Sequence, residues 1–586
     1  MKSIRTMLPI YLLYVLGVTL ILLSYVGHIP SVIKIAAAYV AGFVLIYGVC
    51  RIPIVNRWVQ SMERNVSEWA KGCWKKKKAA GTCILIFAVD MVLAFAAERL
   101  IAVCFYQGDS FYWGRYITAF VVLEFISLFM FYRSLFSKKI ELGVMIVIMS
   151  IGTIFATVLP ASCGVSWDDE VHYNYSMMLS HFFDKSISKA DEYLLNDFPN
   201  TALEQLYYDR ESQTKLYETV DSLYQDDQPG LTVRMWPRYK KLCYIPAAAG
   251  LLLGRALQLP YHMTFMLGRW ANLLFYAVMV YLALKKLKSG KMIAAVVALL
   301  PFNLFMASSY SYDPWITAWL LYGFCCFFGE LQQPEKKMTM REWIFMLLAF
   351  FIGVGPKVIY IPLILVTLLM PKHKYVSSRQ RKLMMAAVAV ITIAVFANFL
   401  LPFVSSSGGG VQDSRGGAEV NAGAQTAYIL ANPLAYTKTL LTFLANYVSF
   451  SSACSYMTYF HYFSNLGITG YAPLMLVTLM VVTFTDKNAS DCNVRILPRA
   501  ATILMAFAAM CLVATSMYIA YTAVGSNTIA GCQYRYLAPV MFPVLYVIGS
   551  GRIENRMKRE YYNGAILAVC SFVLLNAVWT LAINRY

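Results

Sequence analysis

Long apolar runs separated by short basic clusters constrain this chain more than anything else in it. A bilayer core about 30 Å thick takes about 20 apolar residues of helix to cross. Windows of that kind fall at 7–27, 31–50, 82–105, 113–134, 141–160, 263–284, 292–308, 313–331, 383–404, 499–521, 536–550 and 563–582. Shorter runs, read as spans or half-spans, fall at 342–354, 357–370 and 472–485. Backbone amides in lipid must be paired within their own segment, so such runs read as helices. Composition agrees: 59% of residues are hydrophobic, 14% charged, and the mean hydropathy is +0.56. A soluble chain has about 45–50% apolar and about 25% charged residues. A soluble enzyme, a disordered scaffold and a disulfide-stapled secreted domain are excluded. The expected fold is an all-α polytopic integral membrane protein.

The formal charge of +19 is unevenly placed. Lys and Arg cluster between apolar runs, at Lys75–Lys78, Arg133–Lys139, Lys285–Lys291, Lys336–Arg341, Lys372–Lys382 and Arg552–Arg559. Fourteen of the 31 acidic residues lie between Ala161 and Lys241. Basic loops stay in the cytoplasm. This puts the N-terminus inside and the acidic 161–241 segment outside. The charge therefore reads as topology, and no nucleic-acid partner is expected because no basic domain stands clear of the membrane. The N-terminal apolar run lacks a small-residue cleavage pattern and reads as a retained span. The thirteen cysteines contain no CxxC pair and read as packing.

Three segments need separate treatment. A span at Tyr244–Leu257 would throw Lys285–Lys291 outside, so it reads as a helix lying in the outer interface. Residues 51–78 mix Trp58, Trp69 and Trp74 with basic residues and read as a cytoplasmic amphipathic helix. Ser405–Gln425 is rich in Gly and Ser and reads as a mobile external loop.

With this topology, five polar features share the outer face. They are Trp167-Asp168-Asp169-Glu170 with His172, Ser309 to Asp313, Lys357 in a turn, Gln533-Tyr534-Arg535-Tyr536, and Gln425 with Asn432. Crowded carboxylates at an apolar boundary raise one another's pKa and prepare a base or a cation site. Asp313 before Pro314 also suits a plain helix start. Lys357 and Arg535 suit an anion, Arg535 with the planar fork that matches phosphate; the plain alternatives are snorkelling to the outer surface for Lys357 and an interfacial anchor or helix-end ion pair for Arg535. Together they suggest an acid/base group beside an anion site open to the bilayer. Asp90, Glu98 and Arg99 carry no evident chemistry, Asp90 pairing with a neighbouring helix. His28, His262, His373 and His461 are isolated.

In order along the chain come a span, Trp-Asp-Asp-Glu-Val-His (167–172), a long outer loop, Tyr244-Ile245-Pro246-Ala247-Ala248 and Gly268-Arg269-Trp270-Ala271-Asn272-Leu273. Ser309-x-Ser-x-Asp313, Lys357 with Tyr360 and Pro362, and Gln533-x-Arg535-Tyr536-x-x-Pro539 follow. This series resembles a family of predicted bacterial membrane proteins allied to the GT-C glycosyltransferases, over roughly 141–582. That pattern favours Glu where this chain has Asp169, and Gly where it has Tyr534.

The resemblance implies a GT-C-like core over 136–586, with a long external first core loop at 161–241 and a further loop at 405–427. Residues 1–135 would be a four-span addition. It implies an inverting transfer of sugar from a polyprenyl-phosphate carrier to an acceptor hydroxyl of an envelope glycan or lipid. The site would face outward from a bacterial plasma membrane. Asp168 or Asp169 would be the base, and Lys357 and Arg535 would hold the donor phosphate. His172, Asp313, Gln533, Tyr536 and Gln425 would contact substrate. A divalent cation, Mg or Mn, on Asp168 and Asp169 stays open, because GT-C enzymes differ in this. Two alternatives stand beside it: a transporter or flippase of lipid-linked sugars, and a non-catalytic partner in envelope assembly. A transporter wants its polar groups near the midplane of broken helices.

Overall fold

Apolar runs become helices and their basic ends become turns. The computed structural model describes, apart from single positions, residues 77–105, 139–162, 165–183, 187–194, 210–225, 238–405, 417–457, 459–460, 472–486, 496–549 and 555–583, with isolated residues between 111 and 127. The expected spans 7–27 and 31–50, the amphipathic 51–78 segment up to residue 76 and most of 113–134 lie outside the described residues.

The α-helices in chain order begin with α1 (Lys77–Phe105), α2 (Ile140–Val158), α3 (Asp169–Ser180), α4 (Lys189–Glu192), α5 (Arg210–Gln225), α6 (Ile245–Ala256) and α7 (Tyr261–Leu284). Next come α8 (Lys291–Ala298), α9 (Pro301–Ala307), α10 (Asp313–Leu331), α11 (Met340–Val354), α12 (Ser378–Ser405) and α13 (Ala422–Ala431). The chain continues with α14 (Pro433–Tyr447), α15 (Phe450–Met457), α16 (Ala472–Thr485), α17 (Ile496–Tyr521), α18 (Ala538–Ile548) and α19 (Arg559–Ile583). Among the described residues the only β pairing is one isolated bridge, Met338 to Tyr375.

Among the described residues, five helical stretches are long and apolar enough to cross a membrane: Ile140–Val158, Tyr261–Leu284, Ser378–Ala397, Ile496–Tyr521 and Tyr561–Val578. Large apolar side chains such as Val390, Ile393, Leu504 and Phe507 point outward from α12 and α17, a surface that suits lipid rather than water. α7 is the central strut, packed on α2, α6 and α10.

Two expected spans take a different form. The run 292–308 is not one helix but the pair α8 and α9, which meet at Leu299 and Leu300. Pro301 has no N–H and forces the preceding residue out of the α region; Leu300 is extended, at φ −58° and ψ 135°. The run 357–370 is a 3-10 helix, Val358–Leu369, with Pro362 inside it. The proline ring would clash with the carbonyl four residues back, which disfavours α geometry there. The expected 405–427 loop also ends early. Asn421 accepts a hydrogen bond from the Ala424 amide (2.9 Å) and starts α13.

The segment expected to lie in the interface is helical. α6 folds back on α7 at glycine-lined contacts, with one face buried and Ile245 and Leu253 exposed. A Cβ on Gly250 would meet the Leu267 carbonyl and come within 2.8 Å of Gly268 Cα. Backbone cannot yield there as a side chain would. Gly250→Ala should therefore cost about 1–3 kcal/mol, read as a lower melting temperature in detergent. An unchanged melting temperature would contradict this close approach. The one charge on α6, Arg255, donates to the Ser180 carbonyl (2.6 Å) and hydroxyl (2.9 Å) and so caps the end of α3.

Candidate active site

Four turns meet at one end of the bundle. The chain arrives there along α2 and α11 and leaves along α10 and α18, so Asp168, Lys357, Asp313 and Arg535 come from four separate connections. Arg269 and Asn272, both on α7, hold two of these turns. Arg269 is fully buried. Its guanidinium donates to the carbonyls of Leu159 (3.2 Å), Pro160 (2.7 Å) and Ser162 (3.1 Å). These are orphan carbonyls at and beyond the end of α2, which need a donor when buried. The same side chain lies 3.9 Å from Asp169. Asn272 donates to the carbonyls of Ser309 (3.0 Å) and Ser311 (3.2 Å) and so sets the turn before Asp313.

Asp168 and Asp169 then part company. Asp169 is buried and accepts from the Val165 amide (3.2 Å) and the Ser166 hydroxyl (3.2 Å), with Arg269 behind it. Asp168 stands in the left-handed region, φ 57°, which Asp tolerates better than most residues. Its carbonyl accepts the His172 amide (3.0 Å), but its side chain makes no N-cap bond. The carboxylate reaches instead to Arg535.

Arg535 is engaged on three sides. Nε donates to Gln533 Oε1 (2.5 Å), Nη1 to Asp313 Oδ2 (2.7 Å) and Nη2 to Asp168 Oδ2 (3.1 Å). The other oxygen of Asp313 accepts from Lys357 Nζ (2.9 Å). Two carboxylates thus face two cations. Aromatic rings floor the group: Lys357 Nζ lies 4.0 Å from the centre of Tyr536 and 4.8 Å from that of Tyr312. The Arg535 guanidinium lies 5.4 Å from Trp167. Such contacts favour a cation that has lost water. Asp168 is the most open of the four, its side chain 24% exposed against 2% for Arg535. The Arg535–Asp168 contact is also the longer of the two ion pairs that Arg535 makes.

His172 sits one turn along α3 from Asp168. Its Nδ1 pairs with the Tyr244 hydroxyl (3.0 Å), and its ring stands edge-on to Tyr312 at 4.5 Å. Burial, followed by the nearby Arg535, holds the imidazole down at about 3, so it is neutral.

The structure thus brings together Asp168, His172, Asp313, Lys357, Gln533, Arg535 and Tyr536. It does not bring Asp169 or Gln425 to them. Gln425 is buried in α13, accepting from the Gly525 amide (2.8 Å) and donating to the carbonyls of Tyr518 (3.1 Å) and Ala523 (3.4 Å). It ties α13 to the end of α17. Nor do Asp168 and Asp169 make a good cation site. A metal ion shared by them would have to displace Arg535 from one and Arg269 and two loop donors from the other. Among the described residues no three His, Cys, Asp or Glu side chains are grouped to hold a metal.

Sequence reasoning quoted Arg269 and Asn272 without a role, and of the three floor rings it gave a role to Tyr536 but none to Tyr312 or Trp167. The signal was there for Arg269: a charge inside an apolar helix has to be paired. For the rest of the unabsorbed polar residues, Asp90 accepts from Ser127 (3.1 Å), and His262 pairs with Asp221 (2.8 Å).

Comparison with known proteins adds one finding. Residues 163–545, about two thirds of the chain, match the model of the family described as predicted membrane protein (DUF2142). No curated protein and no solved structure matches the chain.

Proposed function

The chain belongs to the DUF2142 family of predicted membrane proteins, and we propose that it is a membrane glycosyltransferase of GT-C type. It would move a sugar from a polyprenyl-phosphate carrier to an acceptor hydroxyl with inversion. One observation carries this reading: a single open carboxylate, Asp168, beside two aromatic-floored cations, Arg535 and Lys357, at one end of a bundle of apolar helices.

The step is a single displacement. Phosphate on the carrier takes the place of Asp168 at Arg535 Nη2, so the carboxylate no longer pairs with that nitrogen. Asp168 accepts the proton of the acceptor hydroxyl as that oxygen bonds to the anomeric carbon. The bond from anomeric carbon to phosphate oxygen breaks, and its electron pair stays on the phosphate. The charge added to the leaving group is met by Arg535 and Lys357. Asp168 loses its negative charge as the phosphate gains one, so the site never holds an extra charge. Asp313 stays in place and keeps both cations oriented. A transporter is less well supported, because the charged groups gather at helix ends rather than within broken helices.

The test is the protein in nanodiscs with a panel of prenyl-phosphate sugars, following free prenyl phosphate by mass spectrometry. Release that needs Asp168 supports the reading. Binding with no release, even with envelope extract added as acceptor, removes it.

The Lys357 ammonium gives the site a pH limit. Burial pulls it down toward about 8, with Asp313 opposing and Arg535 adding to the fall. The charged form is the one that holds an anion, so affinity should drop as pH rises through about 8. The phosphodiester of the donor keeps its charge over that range. In Lys357→Arg the guanidinium stays charged, and the drop should vanish. A wild-type affinity that is flat from pH 7 to 10 would contradict this role.

A further inference from the structure

His172 is 97% buried, its exposure being 3%, and its Nε2 has no hydrogen-bond partner among the described residues. A buried polar atom left unpaired is costly and needs an explanation. The tautomer can be assigned from its neighbour. The Tyr244 hydroxyl has His172 Nδ1 as its hydrogen-bond partner (3.0 Å). A phenol proton goes to an acceptor, and Nδ1 is the acceptor within reach. Burial pushes this phenol above its usual range, so Tyr244 is neutral and keeps a proton to donate. With Nδ1 accepting that proton, Nε2 carries the ring proton, the tautomer on which the proposal below rests and which its NMR test reads. The result is a neutral N–H donor with no acceptor, on the turn of α3 next to Asp168 and within the field of Arg535, Asp313 and Lys357.

We infer that His172 is a ligand-binding residue whose Nε2–H donates to an oxygen of the bound substrate, with Tyr244 setting the tautomer. The proposal relies on the reading above only for the ligand's identity. The acceptor oxygen belongs either to the carrier phosphate or to a sugar hydroxyl. Both present lone pairs to a neutral donor, and an uncharged donor adds contact without disturbing the two-against-two charge balance. Tyr244 acts through His172 and is a positioning residue.

Three proteins in nanodiscs decide the matter: wild type, His172→Gln and His172→Phe. Glutamine can place an amide N–H near the Nε2 position; phenylalanine fills the volume without a donor. Each is titrated with a long-chain prenyl phosphate and with the same lipid carrying a sugar. His172→Phe should lose about tenfold or more in affinity, while His172→Gln stays within about threefold of wild type. Melting temperatures should match among the three. Equal losses for both lipids place the oxygen on phosphate; a loss confined to the sugar-bearing lipid places it on the sugar. Unchanged affinity of His172→Phe for both lipids overturns the inference while leaving the transferase reading intact.

A second readout does not need the carrier. In 15N-histidine NMR, with His172→Gln identifying the signal, His172 should be the Nε2–H tautomer, and Tyr244→Phe should free it to exchange. An Nδ1–H tautomer in the wild type overturns the proposal. If neither lipid binds, the carrier reading fails, and free phosphate and a free monosaccharide are added instead. No shift of the His172 signal with either also overturns it.

Discussion

On the proposed function, replacing Asp168 by Asn should reduce sugar transfer by roughly 10²–10⁴-fold, the usual contribution of a positioned general base. Asparagine has the same size, and its side-chain carbonyl can still accept from Arg535 Nη2, so the turn should keep its shape. It cannot take up a proton. Carrier binding should meanwhile hold or tighten, because the Asp168 carboxylate no longer competes with phosphate for the guanidinium edge it contacts at 3.1 Å. Opposite movements of transfer and binding separate this role from a structural one, which would weaken both. The checks are prenyl-phosphate release and lipid titration on the same nanodisc samples. Transfer within tenfold of wild type would remove Asp168 as base. Asp169 offers no easy substitute, since its carboxylate faces Val165, Ser166 and Arg269.

The largest effect on stability should come from Arg269. Arg269→Met would remove the donors to three buried carbonyls and leave the Asp169 carboxylate without its cation. Breaking a buried ion pair from one side costs about 3–5 kcal/mol. The double variant Arg269→Met with Asp169→Asn should melt higher than the single one, because the uncompensated charge is gone while the amide oxygen can accept from the Val165 amide and the amide NH2 can donate to the Ser166 hydroxyl. Burial already pushes the Asp169 carboxyl up to about 7 with Arg269 in place. Without Arg269 it should rise further, so the single variant should regain stability as pH falls and Asp169 takes a proton. Thermal unfolding at two pH values checks both points. A double variant no more stable than the single, or a single variant that melts like the wild type, would show that this pair does not hold the turn. Asp168 lies in that turn, so the single variant should lose transfer as well.

Much of the fold was legible because hydropathy is a local property. The runs that start near 141, 263, 313, 472, 499 and 563 are helices within a few residues of their expected bounds. Failures came where a proline intervened, at Pro301 and Pro362. There the chain stays apolar but cannot hold an unbroken α-helix. Half of the site was legible for a related reason. Alternating crossings place every second turn at the same end, so Asp168, Asp313, Lys357 and Arg535 had to share one. Which of them touch was not legible. Gln425 obeyed the same alternation, yet it spends its amide on the backbone of residues 518–525.

What the amino-acid sequence determined alone was therefore the class of fold, the helical runs and the shared end of four charged turns. These follow from segment hydropathy and from the parity of crossings. Tertiary structure alone decided that Asp168 and not its neighbour faces Arg535, that Asp313 bridges both cations, and that His172 Nε2 has no partner among the described residues. Asp168 and Arg535 are 367 positions apart. A contact at that separation depends on how α2, α7, α10 and α18 pack and on a left-handed backbone at one residue, and no local pattern encodes either.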